Sequence, residues 1–142
     1  MIKVPSITFG DIEIDDHKVY QFDKGIPGLR GIHKYAIVEA EDTEPVKWLQ
    51  ALEPPYITLM MLDPAIVDSD YSVNLTDEHL KILGNPTMQE VFLMVLIVVP
   101  EDAHNMTANL LAPLVFNLAA RKALQVVVEG SPEMLRVKVI KD

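Results

Sequence analysis

Nine consecutive apolar residues, Val91-Phe92-Leu93-Met94-Val95-Leu96-Ile97-Val98-Val99, constrain this chain more than any other stretch, and Pro100 closes them. Branched Val and Ile lose rotamer freedom in a helix but pack well on a pleated surface, so the run predicts a β-strand. A strand that is apolar at every position needs cover on both faces, which places it inside a sheet rather than at its edge. At ~3.3 Å per residue it crosses a small domain. It falls far short of the ~20 apolar residues that a membrane-spanning helix needs.

The flanking sequence has to supply that cover. Ile12 and Ile14 alternate with Asp11, Glu13 and Asp15, the period of a half-buried strand. With a polar turn at Asp15-Asp16-His17-Lys18 and a return over Val19 to Phe22, residues 7–22 predict a hairpin. Pro27-Gly28 suits the centre of a type II turn, where glycine accepts the positive φ. Tyr35 to Val38, Val46 to Leu52 and Ile57 to Leu62 predict further strands, interrupted by an acidic loop (Glu39, Glu41, Asp42, Glu44) and by Pro54-Pro55.

Thr76 before Asp77 and Glu78 predicts a helix that Gly84 can stop, because a hydroxyl caps the first amides and acids favour the positive end. Over Leu110 to Leu124, helical spacing of leucines argues for a helix and Pro113 argues against one, so local evidence leaves both open. Gln125 to Val128 and Leu135 to Ile140 predict the last strands, joined by a turn at Glu129-Gly130-Ser131-Pro132. The sum is about seven short strands. The predicted class is mainly β (β-rich α+β), a small barrel-like curled antiparallel sheet with one or two short helices.

Residues 1–142 carry no linker, repeat or low-complexity tract and predict one domain. There is no cysteine, which removes disulfides and thiolate chemistry. The first residues lack the apolar run of a signal peptide, so a soluble, cytoplasmic protein is expected, with no membrane contact. Residues 1–71 hold thirteen acids and six bases, a balance of −7, and residues 72–142 hold eight and six, a balance of −2. Such a surface repels phosphate backbones and argues against direct nucleic-acid binding. It would suit a basic protein partner.

No chemistry-bearing constellation emerges. The four histidines, His17, His33, His79 and His104, lie in separate polar stretches without metal-ligand spacing. Ser6, Ser69, Ser72 and Ser131 lack a nucleophile-elbow context, and no phosphate-binding glycine loop is present. No enzyme activity, metal or cofactor is expected. A contrasting reading is a small-ligand or carbohydrate-handling β-barrel, hydrolytic if two carboxylates meet in a deep pocket.

Met106-Thr107-Ala108-Asn109-Leu110, then Ala112-Pro113 and Asn117, resembles the flagellar assembly factor FliW family. So do Gly25-Ile26-Pro27-Gly28, Trp48-Leu49-Gln50, Asp63-Pro64, Asp70-Tyr71 and Gln125-Val126, in the family's order from about residue 8 to residue 138. The resemblance implies a small β-barrel-like protein, not an enzyme, that sequesters the basic translational regulator CsrA. It relieves repression of flagellin translation and binds flagellin in a chaperone-like, partner-switching way. It implies a strand over Leu114 to Asn117.

The partner-binding residues it suggests are Pro27, Gly28, Leu29, Trp48, Leu49, Gln50, Asp63, Tyr71, Asn109, Pro113 and Asn117. Each also has a structural reading: Trp48 as core, Gln50, Asn109 and Asn117 as satisfiers of backbone, Pro27-Gly28 as turn geometry. Trp48 and Leu49, with Leu29 beside the turn, are the expected lining of a groove for an amphipathic flagellin segment. The acidic loop from Glu39 to Glu44 suits CsrA by its sign. Two departures from the family stand out: Ala123 where Gly is usual, expected to alter a turn, and Leu29 where Phe is usual.

Overall fold

The computed structural model describes residues 1–141. Its strands are β1 (Ile2–Ser6), β2 (Gly10–Ile14), β3 (Val19–Gln21), β4 (Lys34–Glu39), β5 (Lys47–Ala51) and β6 (Thr58–Leu62). Two short helices follow, α1 (Pro64–Val67) and α2 (Asp77–Ile82). Then come β7 (Val91–Val98), β8 (Thr107–Ala108), β9 (Leu114–Asn117), β10 (Lys122–Gln125) and β11 (Val137–Lys138).

Strands β3, β4, β5, β6, β7, β9 and β10 form a closed ring. Every pairing in it is antiparallel except the closing one, a single parallel rung between Gln21 and Lys122. β8 and β11 extend β7 outward, and β1 and β2 make a separate hairpin. The mainly β, barrel-like class expected from the sequence is what forms, with more and shorter strands than the seven expected.

The apolar run is the barrel's central strand, and its two faces separate by parity. Phe92, Met94 and Leu96 face the interior with Phe22, Tyr35, Leu49 and Phe116. Val95 and Ile97 pack outward under Leu62, Val67 and Leu110, while Val91 and Leu93 meet Leu83, Val115 and Val126. Cover on both faces is therefore real, although Val98 at the end of β7 is 67% exposed. Aromatic rings fill the barrel: Phe92 stacks on Phe116 at 4.9 Å, and Phe116 meets Tyr20 edge-on at 5.0 Å. Such pairs add to the area they bury.

The hairpin expected over residues 7–22 forms earlier in the chain. β2 pairs with β1, Ile2 opposite Ile14, around a turn in which Ser6 Oγ accepts from the Thr8 and Phe9 amides. Gly10 completes it at φ +72°. The polar residues Asp16–Lys18 instead form a 3₁₀ turn that carries the chain from the hairpin into the barrel, where β3 pairs with β4. The alternation of Ile12 and Ile14 was a true strand signal. It could not say that the partner was Ile2 and Val4 upstream.

Other expectations shift by local chemistry. Leu110 to Leu124 resolves into β9 and β10, with Pro113 buried just before β9. The strand expected at Gln125 to Val128 starts three residues sooner; beyond Gln125 the chain still bonds to the barrel through Val126 N–H to Pro113 C=O. Leu135 to Ile140 shrinks to the two residues of β11, because Pro132 opens a 3₁₀ turn running to Leu135. Ala123 lies within β10 opposite Phe116, so no turn passes through it. The turn falls at Arg121, with φ +57°.

The α2 helix forms as predicted. Thr76 Oγ1 accepts from the His79 amide, and the Thr76 amide donates to His79 Nδ1. Its end is closed by Gly84 at φ +84° and by Asn85 N–H to Leu80 C=O, a left-handed cap that glycine allows. The α1 helix was not foreseen: Asp63 caps it by accepting from the Ala65 amide, and Pro64 takes the first position, where its missing N–H costs nothing.

Candidate functional site

A groove lies over one end of the barrel. Its floor is Tyr20, Ile37, Phe92 and Met94, and the groove above it measures about 1030 Å³. The hairpin supplies one wall through Met1, Glu13 and Ile14, and α1 supplies another through Pro64, Ala65 and Ile66. Met1, Ile66 and Leu118 stand on this rim at 72%, 48% and 50% exposure. All three are exposed apolar side chains that line the same groove.

The rim is mainly acidic, with Glu13 and Asp15 from the hairpin side, Glu39, Glu44 and Asp63 across from them, and Lys18, Lys47 and Arg121 as its lysine and arginine cations. Arg121, entering β10, lies three strands from Lys47 in one direction round the ring and three from Asp63 in the other. Lys47 Nζ sits 3.0 Å from Glu44 and 3.5 Å from Glu39. The Glu44 hydrogen bond, more than any other contact, holds the Lys47 ammonium above its ordinary pKa. The far side of the mouth is thus Glu39, Glu44 and Asp63 against one lysine. On the near side, Arg121 donates to the Tyr20 hydroxyl at 3.0 Å and lies 5.1 Å over its ring. Burial pushes the Tyr20 phenol upward, against the pull of Arg121.

Of the residues expected from sequence, Asp63 and Tyr71 line this mouth. Tyr71 also donates to the Leu110 carbonyl at 2.6 Å, and burial raises its pKa. Leu49 points into the barrel and is fully buried. Gln50 is fully buried too, its Nε2 donating to the carbonyls of Ala51, Tyr56 and Ile57. Trp48 lies on the outer face of β5, edge-on to Phe9 at 5.3 Å, with Nε1 donating to Thr43 Oγ1.

Pro27 and Gly28 are exposed in a type II turn closed by Leu29 N–H to Ile26 C=O, and Leu29 tucks against the barrel core. Asn109 Oδ1 accepts from Leu111 and Ala112, and Asn117 Oδ1 from Ala119 and Ala120, each holding its own turn. Pro113 is buried. The Trp48, Leu49 and Leu29 lining does not assemble as one groove. Sequence reasoning missed Ile66, Leu118 and Arg121; Leu118 and Arg121 fall in the turn between β9 and β10 and Ile66 on α1, where no local pattern marks them.

Among the described residues no group of His, Asp and Glu is placed to hold a metal ion, and no helix is long and apolar enough to cross a membrane. Against known proteins, the family model described as FliW protein matches residues 3–139. The chain belongs to the FliW family. It is 37% identical over 123 residues to the flagellar assembly factor FliW of Pseudothermotoga lettingae, covering 86% of this chain and 78% of that one. Its identity to the FliW of Ruminiclostridium cellulolyticum is 35% over 134 residues, covering 94% and 90%. A crystal structure of the flagellar assembly factor FliW superposes with a TM-score of 0.90 at 27% identity, over 99% of this chain and 98% of that one. The barrel with its grooved mouth is thus a FliW fold, and the expected family and architecture both hold.

Proposed function

We propose that this FliW-family chain is a non-enzymatic binding protein that sequesters CsrA and holds unassembled flagellin, releasing one as it takes the other. It acts in the cytoplasm, where both partners are made. The observation that carries this reading is the barrel mouth, an apolar floor of Tyr20, Ile37, Phe92 and Met94 under a rim that exposes Met1, Ile66 and Leu118. A floor of that kind takes the apolar face of an amphipathic segment. The acids of the hairpin and far rim, Glu13, Asp15, Glu39 and Glu44, add the sign that draws a basic regulator.

The contrasting hydrolase reading needs two carboxylates in different environments, one of them held protonated by burial. Glu39 and Glu44 both lie exposed beside Lys47, 3.5 and 3.0 Å from its Nζ, so neither is buried. The mouth therefore supports binding better than catalysis.

Titration calorimetry of the purified chain with CsrA, and separately with monomeric flagellin, tests the proposal. Both should bind, and flagellin should displace CsrA. Failure of either to bind at micromolar concentrations overturns it.

A further inference from the structure

The one cation on the near side of the mouth that the fold holds rigidly is Arg121. Its backbone sits at φ +57°, a conformation that side-chain-bearing residues rarely adopt. That conformation is pinned from both sides, by Arg121 N–H to Asn117 C=O at 3.0 Å and by Gln21 N–H to Arg121 C=O at 2.9 Å. The guanidinium is then laid on the Tyr20 ring and bonded to its hydroxyl. Among the described residues no carboxylate lies within ion-pair distance of it.

A guanidinium carries five N–H donors in a planar fork matched to a carboxylate. The Tyr20 hydroxyl takes one of them, at the edge of the groove that Arg121 helps to line. We infer that Arg121 is the anchor of the mouth and pairs with an aspartate or glutamate side chain on an apolar segment of the partner. That segment lays its apolar face on Phe92 and Leu118. The inference rests on the mouth being a docking site, and it assigns the chemistry that sets its choice: a carboxylate flanked by apolar residues. Charge also orients the segment, since Glu13, Asp15, Glu39, Glu44 and Asp63 around the rest of the rim repel the same carboxylate and leave Arg121 as its ordered partner.

The test uses the full chain and a pair of amphipathic helical peptides of about 12 residues, with leucines at i, i+3, i+4 and i+7. Both are acetylated and amidated so that no terminal charge competes. One carries a glutamate beside the leucines and the other a glutamine there. In NMR titrations the glutamate peptide should bind about fivefold or more tightly than its glutamine twin and shift the Arg121 side-chain Nε–H resonance. Arg121→Met should abolish that preference and Arg121→Lys should keep part of it, because lysine retains charge without the planar fork. Equal binding of the two peptides, a preference that survives in Arg121→Met, shifts mapping elsewhere, or no binding at all would each overturn the inference. The wild-type resonance answers the question even where a variant folds poorly. Calorimetry with whole flagellin is a separate arm: its failure alone would sink the proposed partner and leave the carboxylate chemistry of the mouth standing.

Discussion

The side-chain amide of Asn117 donates to the carbonyl of Leu83 at 2.6 Å, joining the end of β9 to the end of the helix that covers it. Asn117 is 1% exposed, and its Oδ1 accepts two further amides, from Ala119 and Ala120. One side chain thus fixes a helix terminus and the turn before β10. Asn117→Ala strands those groups, and each buried group left without a partner costs roughly 1–3 kcal/mol. A loss of about 2–4 kcal/mol in denaturant melts is expected; less than ~1 kcal/mol would mean that water replaces the amide without penalty.

Trp48 and Phe9 should act as a pair that clasps the tip of the hairpin to β5. Edge-on rings are worth about 0.5–1.5 kcal/mol beyond the area they bury. Trp48→Ala and Phe9→Ala should each lower the thermal midpoint. The double variant should lose less than the sum by roughly that amount. Strict additivity would show that the rings do not couple. A Trp48→Ala variant of unchanged stability would reopen Trp48 as a partner contact.

The Tyr35 hydroxyl is buried without a hydrogen-bond partner among the described residues, and burial first, then Glu53, pushes its pKa up to about 12. The unfolded chain releases that proton near pH 10, so stability present below pH 10 is lost as pH rises towards 12. Tyr35→Phe should match or exceed the parent in stability near neutrality, since the orphan hydroxyl is gone. It should also lose less stability between pH 10 and 12. A Phe variant as alkali-sensitive as the parent would assign the loss to other groups.

Ile66 and Leu118 stand half exposed on the rim and contribute little to the core. Ile66→Ser and Leu118→Ser should leave the melting temperature within a few degrees. Each should weaken binding of an apolar partner segment by about 1–2 kcal/mol, the value of a partly buried aliphatic side chain. Unchanged affinity in the double variant would move the docking face away from the mouth.

The central strand, the α2 helix with its Thr76 cap and the type II turn at Pro27-Gly28 were legible because each is set by residues within a few positions. The hairpin was not. Ile12 and Ile14 signal a strand from either side, and only the Ser6 hydroxyl bonds and Gly10 decide that β1 is its partner. Leu110 to Leu124 was ambiguous for a related reason: its leucines satisfy a helical period while alternating residues of β9 and β10 face two different cores. The mouth was least legible of all. Ile66 lies far from Leu118 and Arg121 in the chain and meets them only because the sheet closes.

That closure rests on one rung and two side-chain contacts. The Gln21–Lys122 pairing is flanked by the Arg121–Tyr20 bond and the Lys122–Asp23 ion pair, which span 101 and 99 residues of sequence. Every other seam of the ring joins strands made consecutively or nearly so. A nascent chain leaving the ribosome can therefore assemble an open, curved sheet early. It cannot become a barrel until β10 has emerged. Long-range pairing of this kind slows folding, because loop entropy is lost before contacts repay it. We expect nascent chains stalled before Lys122 clears the tunnel to be protease-sensitive and chains stalled well beyond it to resist. Until that moment Tyr20 and Phe92, the future floor of the mouth, are open to solvent and to any chaperone waiting at the exit.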